Sequence, residues 1–276
     1  MPLTRLLAPA AAFVAVTALV AGVAVLALRA LSRSVIYPGS NQAFPPEAEL
    51  ARAIPGASLI RYAAPRGPTL TGALVRARSD SGPGLRRVIA FFHGNAESAA
   101  ENLPLAALFA EAGVDVFLGE YRGYGGNAGR PSEEGLYADG EAGLDALSRL
   151  GYRQENVFLV GRSLGTGVAA ELAVRRSAAL VVLVSPFTSA VEMGRVAAGP
   201  LAPLLVADRF DTLSKIGRVR SPVAILHGTL DEVVPVAMGR RLAAASPGAR
   251  YVEVPAASHS DFPGLPELIL EELRRR

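Results

Sequence analysis

The sequence predicts an α/β protein whose mostly parallel, eight-stranded sheet carries helices on both faces, preceded by a membrane-crossing helix. Three observations predict it. Residues Leu6–Leu28 contain no charged side chain, and a helix of that length reaches roughly 34 Å, more than the hydrocarbon core of a bilayer. Short runs rich in β-branched and aromatic residues then alternate with helix-like stretches, the order that builds βαβ units. The central runs, such as Val157-Phe158-Leu159-Val160, are apolar at every position, as strands covered on both faces are.

For the first segment, a cleavable signal peptide is the rival reading. Its apolar region is usually shorter and ends at a small-x-small site, whereas this run closes on Leu28-Arg29-Ala30-Leu31. An uncleaved anchor over residues 1–33 is therefore expected. Arg5 flanks one side and Arg29 and Arg33 the other, so charge balance leaves the orientation, and the side holding the rest of the chain, open. Residues 34–57 contain Pro38, Pro45, Pro46 and Pro55 and read as an irregular tether or a segment draped on the domain. Residues 58–276 form the domain proper. Strands are expected at Ser58–Tyr62, Leu70–Ala77, Arg87–Phe92, Val114–Leu118, Val157–Val160, Leu180–Val184, Val223–Leu226 and Arg250–Val254, the first two as a hairpin. Helices are expected near 98–112, 134–150, 164–176, 190–206, 235–246 and 264–275. The longest insertion between core strands, 185–221, is modest, so any lid is small.

Composition removes several function classes. Half the residues are hydrophobic and the net charge is only +3, which excludes a disordered chain. Beyond residue 33 there are 25 basic and 25 acidic side chains, so the globular part is neutral. Without a clustered basic face, no nucleic-acid partner is expected. The absence of cysteine excludes a disulfide framework, a Cys-based zinc site and a thiol nucleophile. His, Asp and Glu do not cluster in a ligand pattern, so neither a metal nor a cofactor is expected. Nothing in the sequence speaks to oligomeric state.

Gly161-Arg162-Ser163-Leu164-Gly165 follows an apolar run and opens a helix-like one. A G-x-S-x-G nucleophile elbow needs that context, because the sharp strand-to-helix turn lifts the serine hydroxyl at the carboxyl end of the sheet. The flanking glycines let strand and helix approach without a Cβ clash. Ser163 requires a base, and the three histidines are His93, His227 and His259. In the chain order Ser, acid, His the base comes late, which favours His259; His227 abuts a strand and a glycine and reads as a structural imidazole. Asp231, just past the seventh strand, is the favoured acid, to fix the imidazole tautomer and stabilise the imidazolium. Glu232 is adjacent. Asp208 and Asp211 sit in the insertion as solvated or capping residues, and Asp261 is too local to His259. An oxyanion hole needs two preorganised donors. The Leu164 N–H is one, and the loop His93-Gly94-Asn95 offers the Asn95 N–H as the other. Tyr121-Arg122-Gly123-Tyr124-Gly125-Gly126 lacks the residues of a phosphate-binding loop and reads as a rigid loop beside the site. Ser132 reads as a helix cap, and Phe187 as a pocket-lining or ordinary loop aromatic.

These motifs, in order, resemble the α/β-hydrolase superfamily. More narrowly they resemble the membrane-anchored α/β-hydrolase-domain-containing proteins, near the serine aminopeptidase-like hydrolases. The resemblance rests on Phe92-His93-Gly94-Asn95-Ala96-Glu97, Tyr121-Arg122-Gly123-Tyr124-Gly125 with Pro131-Ser132-Glu133, Gly161–Gly167, Ser185-Pro186-Phe187-Thr188-Ser189 and His227-Gly228-Thr229-Leu230-Asp231. It implies the α/β-hydrolase fold and places Ser163, Asp231 and His259 at the family's triad positions. The sequence departs from the family where Gly126 replaces the commoner Ser, and where Ser258 and Ser260, not Gly, flank His259. Such relatives include protein depalmitoylases and lipid hydrolases. The expectation is a single-pass membrane serine hydrolase acting on a small or lipid-like acyl ester or thioester. A short-peptide peptidase and a catalytically silent scaffold at the membrane are the alternatives.

Overall fold

The computed structural model describes residues 4–78 and 85–276, apart from the side chains of residues 4–14, 196 and 197. Residues 1–3 of the expected anchor, and the side chains of Arg5 and of Leu6 to residue 14, thus lie outside the described residues. Helix α1 spans Thr4–Ile36 and runs past Leu28 to the edge of the domain. Its described part, Ala15–Ile36, is long and apolar enough to cross a membrane. The segment expected to be irregular contains a second helix, α2 (Glu47–Ala53), whose Leu50 is fully buried. Seven residues supply too few periods for sequence to signal such a helix.

Eight strands form one sheet: β1 (Ala57–Ala63), β2 (Thr69–Val75), β3 (Val88–Phe92), β4 (Asp115–Gly119), β5 (Val157–Arg162), β6 (Leu180–Val184), β7 (Val223–Gly228) and β8 (Arg250–Val254). Their spatial order is β1-β2-β4-β3-β5-β6-β7-β8. β1 and β2 form the expected antiparallel hairpin, and β2 lies antiparallel to β4. Every other pairing is parallel. Chemistry at the carboxyl ends of the parallel strands therefore collects along one edge of the sheet.

The two faces are filled by alternate residues of the same strands. Val88, Ala90 and Phe92 of β3 and Val157 and Leu159 of β5 face one apolar cluster. Ile89, Phe91, Phe158 and Val160 face the other. On the first face lie α4 (Glu133–Arg149), α5 (Leu164–Arg175), α8 (Thr212–Ile216) and α9 (Val236–Ala245). On the second lie α3 (Leu103–Glu111) and α10 (Leu265–Arg274). Ser132 caps α4 by accepting from the Gly135 N–H at 3.2 Å.

Two expected helices are shorter than read. Residues 98–112 begin as a 3-10 turn, Ala99–Asn102, and become helical at Leu103. The stretch 190–206 is not one helix. It divides into α6 (Ala190–Ala198), a 3-10 turn and α7 (Ala202–Leu205), because Gly199 takes φ +50° and Pro200 and Pro203 cannot donate to a continuous ladder. These pieces make the small cap over the sheet's carboxyl edge.

Candidate active site

Ser163 follows the last residue of β5 with φ 49° and ψ −117°, a conformation that costs roughly 1–3 kcal/mol and persists only when its surroundings over-determine it. Here they do. The Ser163 N–H donates to the Val184 carbonyl of β6, and its carbonyl accepts from the Thr166 N–H and hydroxyl. The flanking glycines are obligatory on contact grounds. A Cβ on Gly161 would stand 2.3 Å from the Gly165 carbonyl oxygen, and one on Gly165 would stand 2.0 Å from that of Phe92.

His259 reaches this hydroxyl from the loop after β8. Its Nε2 lies 3.0 Å from Ser163 Oγ, and its Nδ1 lies 3.0 Å from each Asp231 carboxylate oxygen. Nδ1–H thus donates to Asp231, which leaves Nε2 as the acceptor of the serine proton. Asp231 also accepts from the Val233 and Val234 N–H groups at 3.0 and 2.7 Å. Burial pushes its carboxyl up, but the bonds from His259 and Val234 prevail and bring it down to about 2.

The other acids and histidines occupy different places. Glu232 accepts from the His259 N–H at 3.2 Å and so fixes the loop that carries the imidazole. Asp261 bonds locally to Ser258, and Asp211 caps α8 at Ser214. Asp208, expected to be solvated or capping, is buried: it accepts from Arg33 at 2.8 Å and from the Glu133 N–H at the start of α4. His227 is fully buried at the end of β7. Its Nε2–H donates to the Val234 carbonyl at 2.9 Å, and burial lowers its pKa.

The loop after β3 closes on the serine: a Cβ on Gly94 would come within 3.5 Å of Ser163 Cβ. None of the described hydrogen bonds uses the N–H of Asn95 or of Leu164, so both main-chain donors stay free for a ligand oxygen. Glu97, Arg162, His93 and Glu120 hold this loop. Glu97 accepts from the Gly94 N–H at 2.6 Å and lies 3.6 Å from Arg162, which in turn donates to the His259 carbonyl at 3.2 Å. His93 is buried between Gly94 and Glu120. Its Nδ1 lies 2.8 Å from the Gly94 carbonyl, which can only accept, and its Nε2 lies 2.7 Å from Glu120. Glu120 also accepts from the Ala99 and Tyr121 N–H groups, so one carboxyl group ties His93 to the starts of two neighbouring segments. Burial pulls the imidazolium down, yet the carboxylate raises its pKa on balance. Tyr121 and Tyr124 complete the support by donating to the His93 and Asn95 carbonyls at 3.3 and 3.1 Å. Glu120, an acid directly after the apolar strand β4, lay outside the motifs read from the sequence.

Ser163, Leu164 and Asn95 line a cavity of about 600 Å³, within the range of small-molecule sites. Phe187 lines it too, as do Met193 of α6 and Leu205 of α7. None of its described lining residues carries a charge. No cluster of three or more His, Cys, Asp or Glu suited to a metal occurs among the described residues.

Comparison with known proteins gives this arrangement its relatives. Residues 83–214 match the family described as serine aminopeptidase, S33. An uncharacterized protein of Mycobacterium tuberculosis is 41% identical over 192 residues, 66% of each chain, so the match spans just under two thirds of that relative. Alpha/beta hydrolase domain-containing protein 17C of Xenopus tropicalis is 36% identical over 229 residues, 81% of this chain and 70% of that one. The crystal structure of an alpha-beta hydrolase from Vibrio vulnificus superposes with a TM-score of 0.71 at 20% identity, covering 88% of this chain and 91% of its own. With that length of shared sequence and the fold around it, the chain belongs to the α/β-hydrolase superfamily.

Proposed function

We propose that this protein is a membrane-anchored serine hydrolase that cleaves an acyl ester or thioester through Ser163, His259 and Asp231. One observation carries the reading: a strained serine bonded in series to an imidazole and a carboxylate, at the floor of an uncharged cavity. Ser163 Oγ attacks the acyl carbonyl carbon while His259 Nε2 takes its proton. The carbonyl electron pair moves to oxygen, where the Leu164 and Asn95 N–H groups receive the developing charge. Asp231 remains ionised and holds the imidazolium. Collapse of the tetrahedral intermediate expels the alkoxide or thiolate, which takes the proton from Nε2. Water, deprotonated by the same nitrogen, then releases the acid and restores the serine. The side chains present supply each of these steps, so the mechanism calls on no metal or cofactor.

The apolar walls favour an acyl chain over a peptide, since an aminopeptidase would present an acid to the substrate amine and no described lining residue is one. The helix Ala15–Ile36 supports anchoring by its length and composition. The name of the Xenopus relative and the esterase title of a Rhodococcus neighbour (TM-score 0.57, 18% identity) agree with hydrolysis. The test is labelling of the full chain with a fluorophosphonate probe. The wild type should label and both Ser163→Ala and His259→Ala should not. A folded wild type that fails to label would favour the scaffold alternative.

A further inference from the structure

The cavity above Ser163 is not closed by the domain alone. Leu28, Leu31, Ser32, Val35 and Ile36 of α1 line it. The first four recur at the i, i+3, i+4, i+7 spacing that puts residues on one helix face. That face is held against the cap by specific bonds. Arg33 Nε donates to Asp208 at 2.8 Å, and the Ser32 hydroxyl accepts from the Ala207 N–H at 3.3 Å. Ile36 packs on the cluster of Val191, Ala202 and Val206. The same end of α1 is continuous with the apolar anchor. The uncharged run ends at Leu28, so Arg29 marks the level at which the helix leaves hydrocarbon, and Leu28 belongs to both span and cavity. The helix before Leu28, from residue 4, still measures roughly 36 Å, enough to cross a bilayer core. Leu201 in the 3-10 turn before α7, Leu204 on α7, and Leu230 and Val233 beside Asp231 also expose apolar side chains. Four large apolar groups near an apolar helix and a cavity mouth fit a lipid surface better than water.

We propose that the last turns of α1 form one wall of the acyl pocket, and that the pocket loads sideways from the leaflet against which α1 places it. The substrate class is then an acyl ester whose chain is already embedded in that leaflet. This rests on the serine-hydrolase reading and adds that the anchor is part of the substrate site.

The full chain is reconstituted in vesicles of ether-linked phosphatidylcholine, which offers no ester of its own. The probes are 4-methylumbelliferyl palmitate and butyrate. Palmitate placed in the same vesicles as the protein should be cleaved about tenfold faster or more than palmitate in separate vesicles. Leu31→Trp and Val35→Trp, which fill the helix-side wall, should lower the palmitate-to-butyrate rate ratio about tenfold, as expected if about two methylenes lose their place in the pocket. Val20→Trp, on the anchor outside the cavity, should leave the ratio unchanged. The proposal is overturned if palmitate is cleaved equally from same and separate vesicles. It is also overturned if both wall variants still label with fluorophosphonate and keep the wild-type ratio. A wild type that neither labels nor cleaves either ester sinks the serine-hydrolase reading first, an outcome distinct from both.

Discussion

Replacing Glu120 by glutamine tests the charge state beneath the oxyanion loop. The substitution keeps size and shape, but a carboxylate accepting at both oxygens becomes an amide with one acceptor and one donor end. Glu120 is 1% exposed and accepts from His93, Ala99 and Tyr121 at 2.7, 2.9 and 3.0 Å. An amide group must therefore turn an N–H toward at least one of these donors. The imidazolium of His93, itself fully buried, loses its counter-charge. Breaking a buried ion pair by removing one partner costs about 3–5 kcal/mol. At roughly 2–4 °C per kcal/mol for a domain of this size, Tm should fall by about 6–20 °C. Near-UV circular dichroism of detergent-solubilised protein follows the unfolding. Nitrogen-15 shifts of the imidazole should show His93 protonated at both nitrogens in the wild type. A Tm within about 2 °C of wild type would refute the argument. It would mean that carboxyl and ring share one proton, so that an amide replaces the acid without leaving a buried charge unpaired.

Other expectations follow from single contacts. Asp231→Asn keeps the geometry but favours the wrong His259 tautomer, and kcat on a soluble acyl ester should fall by about 10⁴-fold. A fall under tenfold would remove Asp231 from the relay. Gly165→Ala places a Cβ 2.0 Å from the Phe92 carbonyl oxygen and should cost about 4 kcal/mol or more, seen as loss of a cooperative melt. A normal melt would show that strand and helix can separate at the elbow. The Asp231 carboxyl lies at about 2 in the folded chain, below its usual value near 3.9. Its stabilisation is therefore complete above about pH 4 and is lost as pH falls from there towards 2. Denaturant melts between pH 2 and 5 should show the gap between wild type and Asp231→Asn narrowing over that window, and a constant gap would contradict the assigned shift.

What sequence made legible was local. The elbow could be read because the strained turn forces glycine at two fixed offsets from Ser163. The sheet could be read because strands covered on both faces show unbroken apolar runs. Long-range bonds escaped. Arg33 meets Asp208 across 175 positions, and Arg162 meets the His259 carbonyl across 97. No spacing rule links such positions. Asp208 looked like an insertion acid for that reason, although it is buried under α1. The short helices α2 and α8 span too few turns for a period, and the break near Gly199 was hidden by an apolar run continuing on both sides of it.

The distribution of charge explains why the site is both polar in its geometry and apolar in its lining. Glu97, Glu120, Glu232 and Arg162 each bond to main chain in the loops after β3, β4 and β8. None of them lines the cavity. Charge here positions peptide groups, and in the proposed reaction peptide N–H groups, not side chains, receive the developing charge. A donor fixed in that way needs no reorganisation when charge develops, while the walls stay free of groups that an acyl chain would have to desolvate. Selectivity must then come from the shape of the walls and from where the substrate resides. On the proposed reading both are set in part by α1, whose Leu28, Leu31, Ser32, Val35 and Ile36 line the same cavity as Ser163.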